Sequence, residues 1–488
     1  MKNELAKNWT EVELEELISF VVGGDWGKEE NYENEEYTIS YCIRGSEIKN
    51  WNKDFGSTAV LRKLKKSSIE TRKLLKNDIL LEISGGGPEQ PVGRVVYIEN
   101  NSLNRLSDYP IVCTNFLRLL RPIDKIESKY LFRYLEKFYF SGEVIKYQGG
   151  SNNLRNLKYK EFEKIKIPLP PLPEQERIVT KLDALFAQHE AMKKALERIP
   201  QLLKDFRQQV LIHAVTGKLT EEWRNTIKLD DSKESILKII AERNKKLPNK
   251  DKIIFRKIDG NYPLPKNWNF GYLNYFGEVS RGKSKHRPRN DKKLFGGNYP
   301  FIQTGDVSNS NNVITKYSST YNDFGLKQSR LFPKGTLCIT IAANIAETGI
   351  LNFDACFPDS VVGYIPYKNI YSSIFAMYFL KTIQKDIEKY APATAQKNIN
   401  LSILNEIAFP FPPIEEQQEI VSRTESLFTK AESIEKRYQI LKEKIDNLPQ
   451  AILHKAFKGE LVPQLPTDGD AKDLLEEILK LKKEVKKK

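Results

Sequence analysis

Cysteine and histidine are scarce, with four of each in 488 residues. Cys42, Cys113, Cys338 and Cys356 never fall into a CxxC spacing, and His189, His213, His286 and His454 form no HxxxH or HxxE pair. That pattern argues against a disulfide framework and leaves zinc without ligands, so the cysteines are read as small buried apolar residues and no metal site is expected. No apolar run approaches the roughly 18 residues that a bilayer span needs. Residues 1–20 are acidic and interrupted where a secretory leader would be apolar, so the expected location is the cytoplasm. Also missing are a GxGxxG turn, an NPPF or DPPY methyltransferase motif, an acid-acid-lysine nuclease pattern, and any nucleophile with a plausible base. These absences describe a chain that binds without catalysing, with no catalytic and no cofactor-binding residues of its own.

Positive charge is abundant. A net charge of +14 and a pI near 9.2 favour a polyanionic partner, while a mean hydropathy of -0.51 describes a soluble chain. The length exceeds what one hydrophobic core serves and predicts two to four domains.

The chain also repeats itself. LPPLPEQERIVTKLDALF, residues 169–186, returns as FPPIEEQQEIVSRTESLF, residues 411–428. One gap-free offset pairs Pro170 with Pro412, Glu174 with Glu416, Gln208 with Gln450 and Gly217 with Gly459, and 16 of the 53 positions from Pro168 to Thr220 are identical. Upstream the likeness is looser: YCIRGSEIKN parallels PFIQTGDVSN, and NDILLEIS parallels KGTLCITI, both alternating like half-buried strands. Each half therefore reads as a mixed α/β globule followed by a helix, a pseudo-two-fold internal repeat.

The helices carry apolar residues at steps of four and three. In the first, Ile178, Leu182, Leu185, His189, Met192, Leu196, Ile199 and Leu203 form the seam; in the second, Ile420, Leu427, Ile434, Leu441 and Ile445 keep the same phase. A seam sustained over more than four heptads predicts a coiled coil. Pro200 and Pro449 predict a kink or break in each helix, and Gly217 and Gly459 predict its end. Glu174 and Glu416 suit the positive end of the helix dipole.

Candidate binding residues lie in the unlike globules. GEVSRGKS, residues 277–284, matches the GxxxxGK[ST] phosphate loop letter for letter. A working phosphate loop must follow a buried strand and open a helix, and the Pro- and Gly-rich run after Ser284 opposes one. The same stretch offers Lys283, Lys285, Arg287 and Arg289 to DNA phosphates and guanine edges. Gln148, Asn152, Asn153 and Arg155 in the first half, and Gln396, Lys397 and Asn398 in the second, precede the double prolines, and their Gln and Asn side chains are able to pair with adenine. Residues 62–76, RKLKKSSIETRKLLK, have the spacing of a surface helix, and 128–140, SKYLFRYLEKFYF, that of a core helix. A phosphate-loop ATPase and a coiled-coil scaffold that touches no nucleic acid remain as competing classes.

The duplicated PPLPEQERIV and PPIEEQQEIV entries, the paired helices, the closing AVTGKL and AFKGEL, and the two divergent globules resemble the specificity subunit of Type I restriction-modification systems. The resemblance covers almost the whole chain. It implies an α/β (α+β) fold of two target-recognition domains held apart by an antiparallel coiled coil, each domain reading one part of a split double-stranded DNA sequence. It implies two modification subunits carrying S-adenosylmethionine, and restriction subunits carrying ATP- and Mg-dependent translocase and nuclease sites. It carries over no base-reading residue, and the alternative within the same chemistry is the DNA-reading subunit of a multisubunit methyltransferase without restriction activity. The expected division is a first recognition domain at 1–165, helical region at 166–222, helical spacer at 223–261, second recognition domain at 262–407, helical region at 408–462 and helical tail at 463–488.

Overall fold

The run Ile79–Glu82 is buried at every position, as a strand covered on both faces must be, and it sits inside a four-stranded antiparallel sheet. Its neighbours are Leu117–Pro122, followed by Ile18–Gly23, on one side and Val95–Tyr97 on the other. The computed structural model describes residues 5–87, 90–151, 154–260, 262–342, 344–367, 373–389 and 399–485. The chain divides into one unit made of Met1–Glu197 with Ile440–Lys488, and a second made of Arg198–Gln439.

In the first unit, Tyr37–Ile43 lies between Val60–Lys65 and Ile111–Cys113, and Leu154–Leu157 lies between Gln148–Ser151 and Ser84–Gly86. The aromatic segment Ser128–Phe140 is a helix whose Tyr130, Leu131, Tyr134, Leu135 and Phe138 enter the core, as its spacing predicts. Residues 62–76 depart from expectation. Val60–Lys65 is a strand paired with Tyr37–Ile43, and only Lys66–Arg72 is helical. Pairing with Tyr37–Ile43 decides for a strand here, with Leu64 opposite Thr38 and fully buried.

The second unit has a five-stranded sheet in the order Gly277–Arg281, Val361–Pro366, Leu337–Thr340, Thr348–Leu351, Val313–Ile314. A four-stranded sheet, built around Phe295–Phe301, lies in the same unit. The helix Ser373–Lys389 buries Phe375, Met377 and Phe379.

Each globule closes with the same clasp. Thr10–Glu13 pairs antiparallel with Lys166–Leu169, and Asn269–Tyr272 with Ala408–Phe411, so the chain is tied immediately before each double proline. A tryptophan precedes each clasp. Trp9 Nε1 donates to Glu174 Oε2 at 3.0 Å, and Trp268 Nε1 donates to Glu416 Oε2 at 2.8 Å. Gln175 and Gln417 donate to the carbonyls of Pro170 and Pro412 at 2.8 and 2.9 Å. The repeated segment thus performs one repeated task, anchoring a helix start to its globule.

Both units are composite. The first buries Ile178 and Leu182, from the start of the first helix, with Ile452, Leu453 and Phe457, from the end of the second. The second buries Ala214 and Val215 with Ile420. Within the first unit Arg177 bonds Asp468 and His189 contacts Ile445; within the second Arg207 bonds Glu435 and Arg423 donates to the Leu219 carbonyl. In each, partner numbers fall as the helix advances, the pattern of antiparallel neighbours. Gly217 and Gly459 both end their helices at φ +75°, and a Cβ on either would crowd the neighbouring residues, Pro265 for the first and Ala6 for the second.

The seam holds only in parts. Ile178, Leu182, Leu196, Leu203, Ile420 and Ile445 are buried, and Leu185, Ile199 and Leu427 half-buried. Met192, Ile434 and Leu441 are exposed, contrary to expectation. Charged neighbours, Lys193, Lys194, Glu435, Lys436 and Lys442, flank these positions and keep them wet. The first helix is divided, Leu172–Glu197 and Ile199–Val215, just ahead of Pro200. Ile414–Ala456 instead runs 43 residues through Pro449 without a break. The carbonyl that Pro449 cannot bond belongs to Ile445, and His189 Nε2 lies 2.9 Å from it. A side chain of the first helix thus replaces the missing main-chain donor of the second.

Candidate nucleic-acid interface

Beside the four-stranded sheet of the first unit opens a cleft of about 810 Å³. Its frame is main-chain: Gly24 N–H donates to Leu117 O at 3.0 Å, Asp25 N–H to Cys113 O at 2.8 Å, Ile83 N–H to Phe116 O at 2.9 Å, and Glu82 N–H to Arg94 O at 2.8 Å. Into this frame the sequence puts Trp26, Arg94, Asn115 and Phe116. Glu82, only 1% exposed, holds Arg94 Nε at 2.9 Å, while Arg94 Nη2 also donates to Gly45 O at 3.0 Å. Burial pulls against the Arg94 charge, but bonding to Glu82 outweighs it, and the guanidinium pKa is raised. Arg44 is fixed likewise by the buried Glu47, with Nη2 2.6 Å from Oε1.

The second unit repeats the frame bond for bond. Gly282 N–H donates to Val361 O at 2.8 Å, Lys283 N–H to Phe357 O at 3.0 Å, Ile341 N–H to Ser360 O at 3.0 Å, and Thr340 N–H to Glu347 O at 2.9 Å. The side chains do not repeat. Ser284 stands where the first unit has Trp26, Glu347 for Arg94, Asp359 for Asn115, and Ser360 for Phe116. The loops leaving this frame carry opposite charge: residues 25–36 hold six acids and one lysine, residues 283–293 six bases and one aspartate.

Of the sequence candidates, Lys283, Lys285, Arg287 and Arg289 are all exposed on that basic loop. Lys283 and Lys285 form no ion pair among the described residues. Arg289 pairs with Asp359 at 2.7 Å, and Arg287 donates to the Ser284 carbonyl at 2.6 Å. Gly277–Arg281, the start of the phosphate-loop match, is a strand paired with Val361–Pro366, and the next element after Ser284 is the single 3-10 turn Lys292–Leu294. That geometry lacks both the cradle and the helix start a phosphate needs. Gln148 and Arg155 lie on the paired strands Gln148–Ser151 and Leu154–Leu157, and Arg155 stands opposite Gly86. Gln148 Nε2 reaches Val92 O at 3.4 Å. Asn152, Asn153, Gln396, Lys397 and Asn398 lie outside the described residues.

Sequence reasoning missed the cleft, because Trp26, Arg94 and Phe116 are far apart in the chain and belong to no motif. The four cysteines are buried and free, and burial pushes the Cys42 thiol up to about 12. Among the described residues no group of three metal-ligating side chains gathers, and no helix is long and apolar enough to cross a membrane.

The family model of the Type I restriction modification DNA specificity domain matches residues 6–201 and again 265–443. The Type I restriction enzyme EcoKI specificity subunit of Escherichia coli K12 is 26% identical over 467 residues, 94% of this chain and 91% of that protein. The EcoBI specificity subunit of Escherichia coli is 31% identical over 412 residues, 81% and 80% of the two chains. The crystal structure of the HsdS subunit from Thermoanaerobacter tengcongensis shares the fold, with a TM-score of 0.60 at 17% identity, covering 94% of this chain and 99% of that one. Two family matches fall on two globules with one backbone frame and different side chains, and the chain belongs to the Type I restriction modification DNA specificity family.

Proposed function

We propose that this chain reads a bipartite, asymmetric DNA target, one half-site per globule, and directs partner methyltransferase and restriction subunits to it in the cytoplasm. The observation that carries the reading is the shared backbone frame with unlike side chains. A duplicated scaffold that keeps its main-chain bonds while exchanging Trp26 for Ser284 and Arg94 for Glu347 is suited to two different recognitions. In this reading the chain has no catalytic residue. S-adenosylmethionine, ATP and Mg are held by the partners, two of which are modification subunits, and the basic loop at Lys283 supplies phosphate contacts. The test is an exchange of residues 262–407 for those of a relative with another specificity, followed by mapping of methylated bases in cells. One half of the methylated sequence is expected to change while the other stays. Change in both halves together overturns the assignment of one half-site to each globule.

A further inference from the structure

The cleft of the first unit is shaped for an object that projects, whereas the base edges of a DNA duplex are recessed. Groove floors are read by protruding helices or ribbons, and a concavity cannot reach them. Its volume of about 810 Å³ falls among small-ligand pockets, which run roughly 300–1,000 Å³. Its chemistry is also particular. The two arginines are each engaged by a carboxylate, Arg94 by Glu82 and Arg44 by Glu47, and the exposed Lys49 is the other cation on the lining. What they present is fixed N–H donors, because their guanidinium groups cannot turn without breaking these bonds. Asn115, exposed on the tight turn closed by Leu117 N–H to Thr114 O at 2.9 Å, adds an amide with both donor and acceptor.

Two large aromatics stand exposed on the same cleft, Trp26 at 38% and Phe116 at 48%. Trp26 is held in place: the Arg62 guanidinium lies 4.2 Å from its ring centre, and Arg62 Nε donates to the Trp26 carbonyl at 3.0 Å. A fixed indole at the edge of a donor-rich cavity is a stacking platform for a flat heterocycle. We propose that this cleft receives one nucleobase of the DNA target turned out of the helical stack, stacked on Trp26 or Phe116 and read on its edge by Arg94 and Asn115. In the second unit Ser284, Glu347 and Ser360 stand in the equivalent places, so the frame there carries neither the two aromatics nor the arginine. The two frames thereby read their half-sites with different side chains, and the aromatic receptor belongs to the first.

The proposal rests on the DNA-reading assignment and is tested on the complex of this chain with its modification subunits. The probes are duplexes of the mapped target, each lacking one base in the strand opposite a successive position of the first half-site. An extruded base loses its pairing partner anyway, so removing that partner lowers the cost of extrusion. Binding is expected to tighten several-fold at one position other than the methylated bases, and Trp26→Ala is expected to abolish that gain while leaving any gain at the methylated bases. Phe116→Ala, at an exposed site free of the Arg62 contact, provides a second variant that spares the fold. Tightening at the methylated bases alone overturns the proposal. So does a Trp26→Ala complex that binds every duplex more weakly with a shallower salt dependence, the mark of a backbone contact, or one that sheds its modification subunits, the mark of a protein occupant. The exchange of residues 262–407 leaves this cleft untouched, so failure of the half-site assignment is seen separately.

Discussion

His189 of the first helix approaches the main-chain oxygen of Ile445 to 2.9 Å, and that oxygen is the one Pro449 leaves without a helical donor. A carbonyl only accepts, so the imidazole carries its proton on Nε2. Both groups are buried. His189→Ala is expected to orphan the Ile445 carbonyl and cost about 1–3 kcal/mol, read as a lower urea midpoint of the purified chain. Pro449→Ala alone restores a donor on the helix itself, and His189→Ala in that background is expected to cost less. An equal cost in both backgrounds would assign the effect of His189 to packing.

The two anchoring glutamates are equivalent in sequence but differ in their surroundings. Glu416 accepts from Trp268, from Thr220 at 2.7 Å and from Arg224, whereas Glu174 accepts from Trp9. Burial raises the Glu174 pKa against the opposing bond from Trp9. With the folded value above the unfolded one, the folded state binds more protons, and stability rises as pH falls through the folded value. Glu174→Gln is therefore expected to be nearly neutral at pH 7, and Glu416→Gln to cost about 1.5–3 kcal/mol, the worth of bonds to a charged group. Denaturation of the two variants side by side checks the order.

Acid acts differently on Asp468. The Arg177 hydrogen bond, against a smaller burial effect, holds its pKa below the ordinary 3.8. Its contribution is full above that ordinary value and is lost as pH falls through the lower folded one. Asp468→Asn is expected to lower stability at pH 7 and to remove part of the acid-induced loss below about pH 4, measured by urea denaturation at stepped pH.

The basic loop makes a prediction in salt. Lys283 and Lys285 are exposed and free of ion pairs among the described residues, while Arg289 is already engaged by Asp359. Replacing both lysines by glutamine is expected to reduce the slope of log affinity against log salt by about 2, near 0.9 per lost phosphate contact. Arg289→Gln is expected to reduce it less. Binding titrations of the assembled complex on target DNA at several salt concentrations decide it.

The repeat was legible because helix starts are local: Pro-Pro, Glu-Gln and the heptads lie within a short window, and so do the glycines that end each helix. The partners of those residues were not. Trp9 sits 165 residues before its glutamate and Trp268 148 before its own, so no single offset aligns both tryptophans and both glutamates. Residues 62–76 have the spacing of a helix, but the lysines and leucines at their start suit either period, and pairing of Val60–Lys65 with Tyr37–Ile43 decides for a strand there. The aromatic and arginine residues of the cleft carry no pattern in sequence, since only a sheet brings residues 26, 94 and 116 together.

The composite make-up of the units sets an order of completion during synthesis. The second unit is one unbroken stretch, Arg198–Gln439, whereas the first waits for Ile452, Leu453, Phe457 and Ile478. Domains close as units while the chain emerges, normally from the N-terminus onward. Here the globule made first is finished after the second, and it stays open at the ribosome until Ile478 has been added.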